Sequence, residues 1–328
     1  IFFTTLAMYF PIVVILSAMY TELQRFVERL PLNEEIEFPI GSGSPLFWNE
    51  SLRVLGLVTG QGVRRGAISV TGLGLDPRFN LTTSYFIFAG IAGVDPAVGS
   101  VGSAFWALHA IHADSGYRFD AREVPSAWHG VTVVPEERNE PFSEPPPLNY
   151  PDIMTFNLKP FALWAYNLSQ HVVLPDTILL QTVRKDYPSN SPASQKPTVR
   201  LGDVVSGDFY WAGKYLTSFY RRWYRYWLDS QDFDTNFATT AMEDTAVITA
   251  LHCLHNASRV NASRVAVLRT ISDYSHQPPN QQLIPWFFAK SHLAAETPAF
   301  EAAYLTVRPV LDALLSYSFN RDEDIVFF

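Results

Sequence analysis

One cysteine, Cys253, stands among 328 residues. A single thiol excludes an internal disulfide and a cysteine-rich zinc site. Basic residues are also scarce: 24 Lys and Arg face 32 Asp and Glu, for a formal net charge of −8. A general nucleic-acid binder needs a basic face, so nucleic acid is excluded as a partner. Charged residues make up only 17% and hydrophobic residues 48%, which rules out disorder over most of the chain. Residues 1–20 carry no charge and just reach the length of a membrane span, but Pro11 breaks the run and Thr4, Thr5 and Ser17 interrupt it. No later segment reads as a transmembrane helix. The sequence has no HExxH, no G-x-S-x-G and no internal repeat. The pairs His109/His112 and His252/His255 lack a further ligand in reach and read as packed or surface pairs.

Four apolar runs read as buried strands: residues 12–16, 54–59 (VLGLVT), 84–89 (SYFIFA) and 265–271 (VAVLRTI). Helical patterns separate them at 21–30, 64–75, 213–228, 242–255 and 299–316. Strands alternating with helices predict an α/β fold with a largely parallel core, in which ligands gather at the carboxyl ends of strands. Residues 135–151 and 185–197 are rich in Pro with Glu or Ser, and read as surface insertions. Residues 1–10 read as the remnant of a signal peptide or anchor, and 11–328 as a single domain. Membrane association would then run only through residues 1–10. Five N-x-S/T sequons, at Asn49, Asn80, Asn167, Asn256 and Asn261, favour N-glycosylation on a secretory route to a secreted or cell-surface location, with a cytoplasmic location as the alternative.

Five segments carry chemistry. Ser272 and Asp273 follow the last strand run, where a catalytic acid would stand, although an Asp there also caps helices. Met242 and Glu243 open an apolar helix, a position that the dipole favours for any acid. The first strand runs into Ala18, Met19 and Glu22, and this Glu could equally face solvent. Gly90 and Gly93 follow a strand and let backbone approach a ligand, but their G-x-x-G spacing is no dinucleotide fingerprint. Phe209, Tyr210 and Trp211 could stack a planar base or pack in the core. The aromatic and arginine-rich stretch 220–227 (YRRWYRYW) reads as a helix that buries its rings and solvates its arginines.

Taken in order, SAMYTEL, AGIAGV, SGDFYW, TAMEDTA and RTISD resemble the successive motifs of the methylthioadenosine/S-adenosylhomocysteine nucleosidases. Those enzymes show an AMxxE turn, a Gly-rich turn, SGDxF, VEMEA and R-x-ISD. Over most of the chain from Pro11 onward, TGQG, FAGIAGVDPAVGSVGSA, FDAREVP and LRTISDYSHQPP resemble the purine nucleoside permease family. The resemblance implies a nucleoside phosphorylase-like three-layer αβα fold, with a mixed central sheet and long insertions. It also implies a purine nucleoside as ligand, no cofactor beyond phosphate as a co-substrate, and a homo-oligomer.

Carried over residue by residue, the resemblance makes Asp273 the acid that protonates the purine, with Ser272 orienting it. Glu22 becomes the base that activates water. Glu243 accepts hydrogen bonds from the ribose, and Met242 and Met19 pack around the sugar. Tyr210 and Trp211 lie beside the base, and Ala92 and Gly93 line the pocket. Two carboxylates with opposite tasks need different pKa values, so Asp273 is expected to be the more buried or the more hydrogen-bonded. Ala241 and Ile91 stand where the nucleosidases carry Glu and Ser. The first turn lacks the Gly and Arg that phosphorylases use for phosphate, which favours water as acceptor. Arg64, Arg65 and Arg269 remain as candidate anion ligands, with a surface or ion-pair role as the alternative for each. Three readings follow: a purine nucleosidase or phosphorylase, a non-catalytic nucleoside-binding protein of uptake, or a storage or structural protein on this fold.

Overall fold

The strand VVILS at Val13–Ser17 (β1) is buried along its whole length, and its side chains alternate between two cores. Val13 and Ile15 face one layer, while Val14 and Leu16 face the other. Strand β5 (Tyr85–Val94) repeats the pattern: Tyr85, Ile87 and Ala89 face one side, Phe86 and Phe88 the opposite side. So does β14 (Val265–Tyr274), with Ala266 and Leu268 against Val265 and Val267. A period of two with apolar residues on both faces requires a cover on each side. Helices α1 (Tyr20–Arg29), α3 (Lys159–Ser169) and α8 (Glu296–Asn320) supply one cover. Helices α2 (Val63–Leu75) and α6 (Asp244–Asn256) pack on each other and supply the second. The result is a three-layer αβα arrangement in a computed structural model that describes residues 8–128, 133–134, 138–146, 154–228, 236–289 and 295–320.

The remaining strands are β2 (Glu34–Ile36), β3 (Leu46–Asn49), β4 (Val54–Val58), β6 (Ala104–Trp106), β7 (His109–His112), β8 (Tyr117–Arg118), β9 (Val133–Val134), β10 (Thr155–Asn157), β11 (Val199–Leu201), β12 (Asp203–Ser206) and β13 (Phe237–Ala241). Strands β8 and β9 form a separate ribbon. The large mixed sheet runs β10-β7-β12-β13-β5-β1-β4-β3-β2, with β14 on β5 and β6, and β6 on β11. Further helices are α4 (Ile178–Arg184), α5 (Lys214–Leu228) and α7 (Leu283–Phe287). Among the described residues no helix is long and apolar enough to cross a membrane. Residues 1–7 lie outside the description. Tyr9 stacks on Phe79 at 5.1 Å and donates its hydroxyl to Glu34 at 2.9 Å, so the residues just before β1 pack on the domain.

Strand β5 positions the site. Its first half pairs in parallel with β1, whereas Gly93 and Val94 pair antiparallel with β13. The partner changes along one continuous strand, which leaves residues 89–92 unpaired on that edge, and a ligand crevice belongs at such a switch. Gly90 and Gly93 therefore lie inside a strand and not after it, as the sequence pattern suggests. Strand β14 likewise continues through Ser272 and Asp273, with a register shift between Ile271 and Asp273 that re-aims the acid.

Helix α5 buries Tyr220, Trp223, Tyr224 and Trp227 as its spacing predicts. Arg221 pairs with buried Asp95 at 2.5 Å, and Arg222 lies over the Phe142 ring at 4.5 Å. Asn49 donates its amide to the Pro31 carbonyl at 2.9 Å, whereas Asn167 and Asn256 face solvent.

Candidate functional site

The residues carried over for the base, the sugar and the water all line one cavity of about 450 Å3, whereas the three candidate anion-binding arginines do not. Met19 and Glu22 come from the turn after β1, and Ala92 and Gly93 from β5. Tyr210 and Trp211 come from the loop after β12. Met242 and Glu243 follow β13, and Ser272 and Asp273 end β14.

Glu22 sits in the first turn of α1, where the helix dipole favours an acid. It is only 3% exposed and accepts two backbone N–H groups, Met19 at 2.8 Å and Ile91 at 2.7 Å. Burial pushes its carboxyl up from 4.5 to about 7, against the pull of Arg269 and the two amides. Glu243, at the N-cap of α6, accepts the Gly62 N–H at 3.0 Å, and burial raises its pKa as well. Between them lies Arg269, 1% exposed, which gives Nε to Asp244 at 2.8 Å and Nη2 to Glu243 at 3.5 Å. Its Nη1 donates to the Ile91 carbonyl at 3.2 Å, and its guanidinium lies over the Phe88 ring at 4.4 Å. One buried cation thus pairs with the neighbouring acids Glu243 and Asp244 and acts electrostatically on Glu22 from a second segment.

This geometry decides between the alternatives for the arginines and for the two carboxylates. Arg269 is an ion-pair centre and not a free anion ligand. Arg64 pairs with Asp208 at 3.2 Å and is largely exposed, and neither Arg64 nor Arg65 lines the cavity. Asp273, at 9% exposure, is also less buried than Glu22. Glu22 is clamped under β5 by backbone amides, whereas Asp273 stands at a strand end and faces the cavity. Ser272 Oγ donates to Asp273 Oδ2 at 2.7 Å, and Tyr210 also hydrogen-bonds this carboxyl. Burial and the Asp273 charge raise the Tyr210 hydroxyl, so it stays a neutral donor.

The aromatic side is only partly formed by the residues that the motifs single out. The Tyr210 ring is 52% exposed and meets Phe287 edge-on at 5.6 Å, while Trp211 stacks on Tyr220 at 4.4 Å. Phe287, Phe288, Gln61 and Glu296 also line the cavity and went unnoticed in the sequence. Gln61 lies in the TGQG turn, the one signal that could have found it. Phe287 and Phe288 come from a short helix without a motif. Among the described residues no group of acidic, His and Cys side chains could hold a metal ion. His109 instead faces Asp203 at 3.2 Å, and His112 faces Thr245 at 3.3 Å.

Solved structures share this fold. The chain aligns with a 5'-methylthioadenosine/S-adenosylhomocysteine nucleosidase from S. pneumoniae, solved with a transition-state inhibitor, at a TM-score of 0.51 and 16% identity, covering 92% of this chain and 97% of that one. The futalosine hydrolase of Helicobacter pylori aligns at a TM-score of 0.52 and 17% identity, with coverage of 92% and 97%. Identities this low establish the nucleosidase-type fold alone. Sequence relatives are nearer. A probable purine nucleoside permease of Schizosaccharomyces pombe is 31% identical over 242 residues, 71% of this chain and 67% of the relative. A purine nucleoside permease of Candida albicans is 27% identical over 239 residues, and the match spans 57% of its length. The family model for purine nucleoside permease matches residues 10–320. The chain belongs to the purine nucleoside permease family.

Proposed function

We propose that the chain binds a purine nucleoside in this cavity and cleaves its N-glycosidic bond with water. The observation that carries this reading is the meeting of Glu22, Glu243 and Asp273 in one cavity, from three separate segments, between apolar and aromatic walls. Protonated Asp273 gives its proton to the imidazole nitrogen of the purine. The C–N electron pair then leaves with a neutral base, and positive charge spreads over C1 and the ring oxygen of the sugar. Glu243 accepts hydrogen bonds from the ribose hydroxyls. Glu22, held near neutrality, takes a proton from the water whose oxygen bonds to C1. Nucleoside and water become free base and free ribose, and solvent returns the proton from Glu22 to Asp273.

Water suits this lining better than phosphate. Among the described lining residues Glu22, Glu243, Asp273 and Glu296 are acidic, and none is Lys, Arg or His. Phosphate would meet these acids with no cation on the cavity wall to hold it, since Arg269 lies behind the wall and is already paired with Glu243 and Asp244. The same charge pattern favours nucleosides over nucleotides. The scheme draws on no cofactor.

The test is base release from adenosine, inosine and guanosine, with nucleoside binding followed by calorimetry. Asp273→Asn and Glu22→Gln should each lose on the order of 10²-fold or more in kcat while binding persists, the size of a general acid–base contribution. Full activity in Asp273→Asn would overturn the assignment. A second reading, a nucleoside-binding protein of uptake without turnover, is favoured by Ile91 and Ala241, which put apolar side chains on the cavity wall where the nucleosidases carry polar ones. Binding without base release in the wild type would select it.

A further inference from the structure

We propose that Asp208 is a positioning residue that clasps together the two loops walling the aromatic and sugar ends of the cavity. Asp208 does not line the cavity itself, but Phe209, Tyr210 and Trp211, which follow it directly, all do. Its Oδ1 accepts the Val63 N–H at 3.1 Å, and its Oδ2 pairs with Arg64 Nη2 at 3.2 Å. Its own N–H donates to the Asp114 carboxylate at the end of the β7 segment.

The neighbouring amide, Gly62 N–H, goes to Glu243 Oε1 at 3.0 Å. Two successive N–H groups at the start of α2 are thus held by carboxylates from two different cavity loops. Both acids sit where the helix dipole and the charge-assisted hydrogen bond favour a negative group. The close fit leaves no room for side chains. A Cβ at Gly62, whose φ is +85°, would lie 2.7 Å from Asp208 Oδ1, and one at Gly207 would collide with the Asp114 carboxylate. The chain Asp114–Asp208–Val63 therefore ties the end of β7, the aromatic loop and the turn that carries Gln61 into one unit, and this turn also seats Glu243.

The nucleoside part of this role rests on the proposed function, whereas the clasp itself does not. Asp208→Ala removes the acceptor. Val63→Pro removes the donor at the first position of α2, where proline is tolerated, and leaves Asp208 intact. Asp208→Asn keeps an acceptor in place. Hydrogen exchange on the full chain should show faster exchange of residues 209–212 in both Asp208→Ala and Val63→Pro, by about tenfold, with Asp208→Asn near wild type. With the nucleoside that the wild type cleaves fastest, both disruptive variants should raise KM by about tenfold and change kcat by less than about threefold, because the reacting carboxylates stay in place. Wild-type exchange in residues 209–212 of both disruptive variants, or an Asp208→Asn that behaves like Asp208→Ala, would overturn the clasp. A wild type that neither binds nor cleaves adenosine, inosine or guanosine would overturn the proposed function instead, and exchange would still decide the clasp.

Discussion

Glu22 shows how one buried position sets a pKa by opposing causes. Loss of water raises its carboxyl to about 7, and only Arg269 and two backbone amides hold it that low. An acid raised on folding stabilises the fold fully below its unfolded value, here 4.5, and that contribution is lost as pH rises through about 7. The full difference amounts to about 3 kcal/mol. Wild-type Tm should therefore fall relative to Glu22→Gln as pH rises from 4.5 to 7, in melts of both proteins across that window. Parallel profiles would contradict the burial argument. Gly90 is the second residue on which the site depends. A Cβ there would lie 2.4 Å from Arg269 Nη1 and 3.0 Å from Glu22 Oε1. Arg269 is fixed by Asp244 and Glu243, so it has little room to give way. Gly90→Ala should lower stability by about 2 kcal/mol or more, measured by urea unfolding, through overpacking and loss of the ion-pair geometry.

Arg269 on β14 links α1 to the start of α6, because it faces Glu22, Glu243 and Asp244 together. Arg269→Met would leave these acids buried without their cation. A loss of about 3–5 kcal/mol is expected in urea unfolding, the usual consequence of breaking a buried pair from one side. A loss under about 1 kcal/mol would mean that the acids are satisfied without it. Much at this scale is legible in the sequence. Helices α1, α2, α5, α6 and α8 follow from a period of 3.6, and β1, β4 and the first halves of β5 and β14 follow from unbroken apolar runs. The short strands β6, β7, β11, β12 and β13 are not legible. They have three to five residues, several with His, Asp or Thr, and gain their order from neighbours in the sheet and not from their own pattern. The switch of β5 from β1 to β13 is invisible for the same reason, since pairing partners are a tertiary property. Five motifs led to ten cavity residues. Phe287, Phe288 and Glu296 lack a local signal and become cavity residues only through the packing of distant segments.

At the scale of the whole molecule, the sheet gathers the strand ends on one acidic, aromatic cavity in a chain that matches the purine nucleoside permease family over residues 10–320. Among the described residues no helix is long and apolar enough to cross a membrane. The proposed reading sets a purine nucleoside in this cavity, with Asp273 for the base, Glu243 for the ribose and Glu22 for a water. The most direct measurement is to identify both products after incubating the purified chain with adenosine, inosine and guanosine in phosphate buffer. The account predicts free purine and free ribose in equal amounts, at a rate independent of phosphate. Ribose 1-phosphate as the sugar product, or nucleoside recovered intact after tight binding, would contradict it.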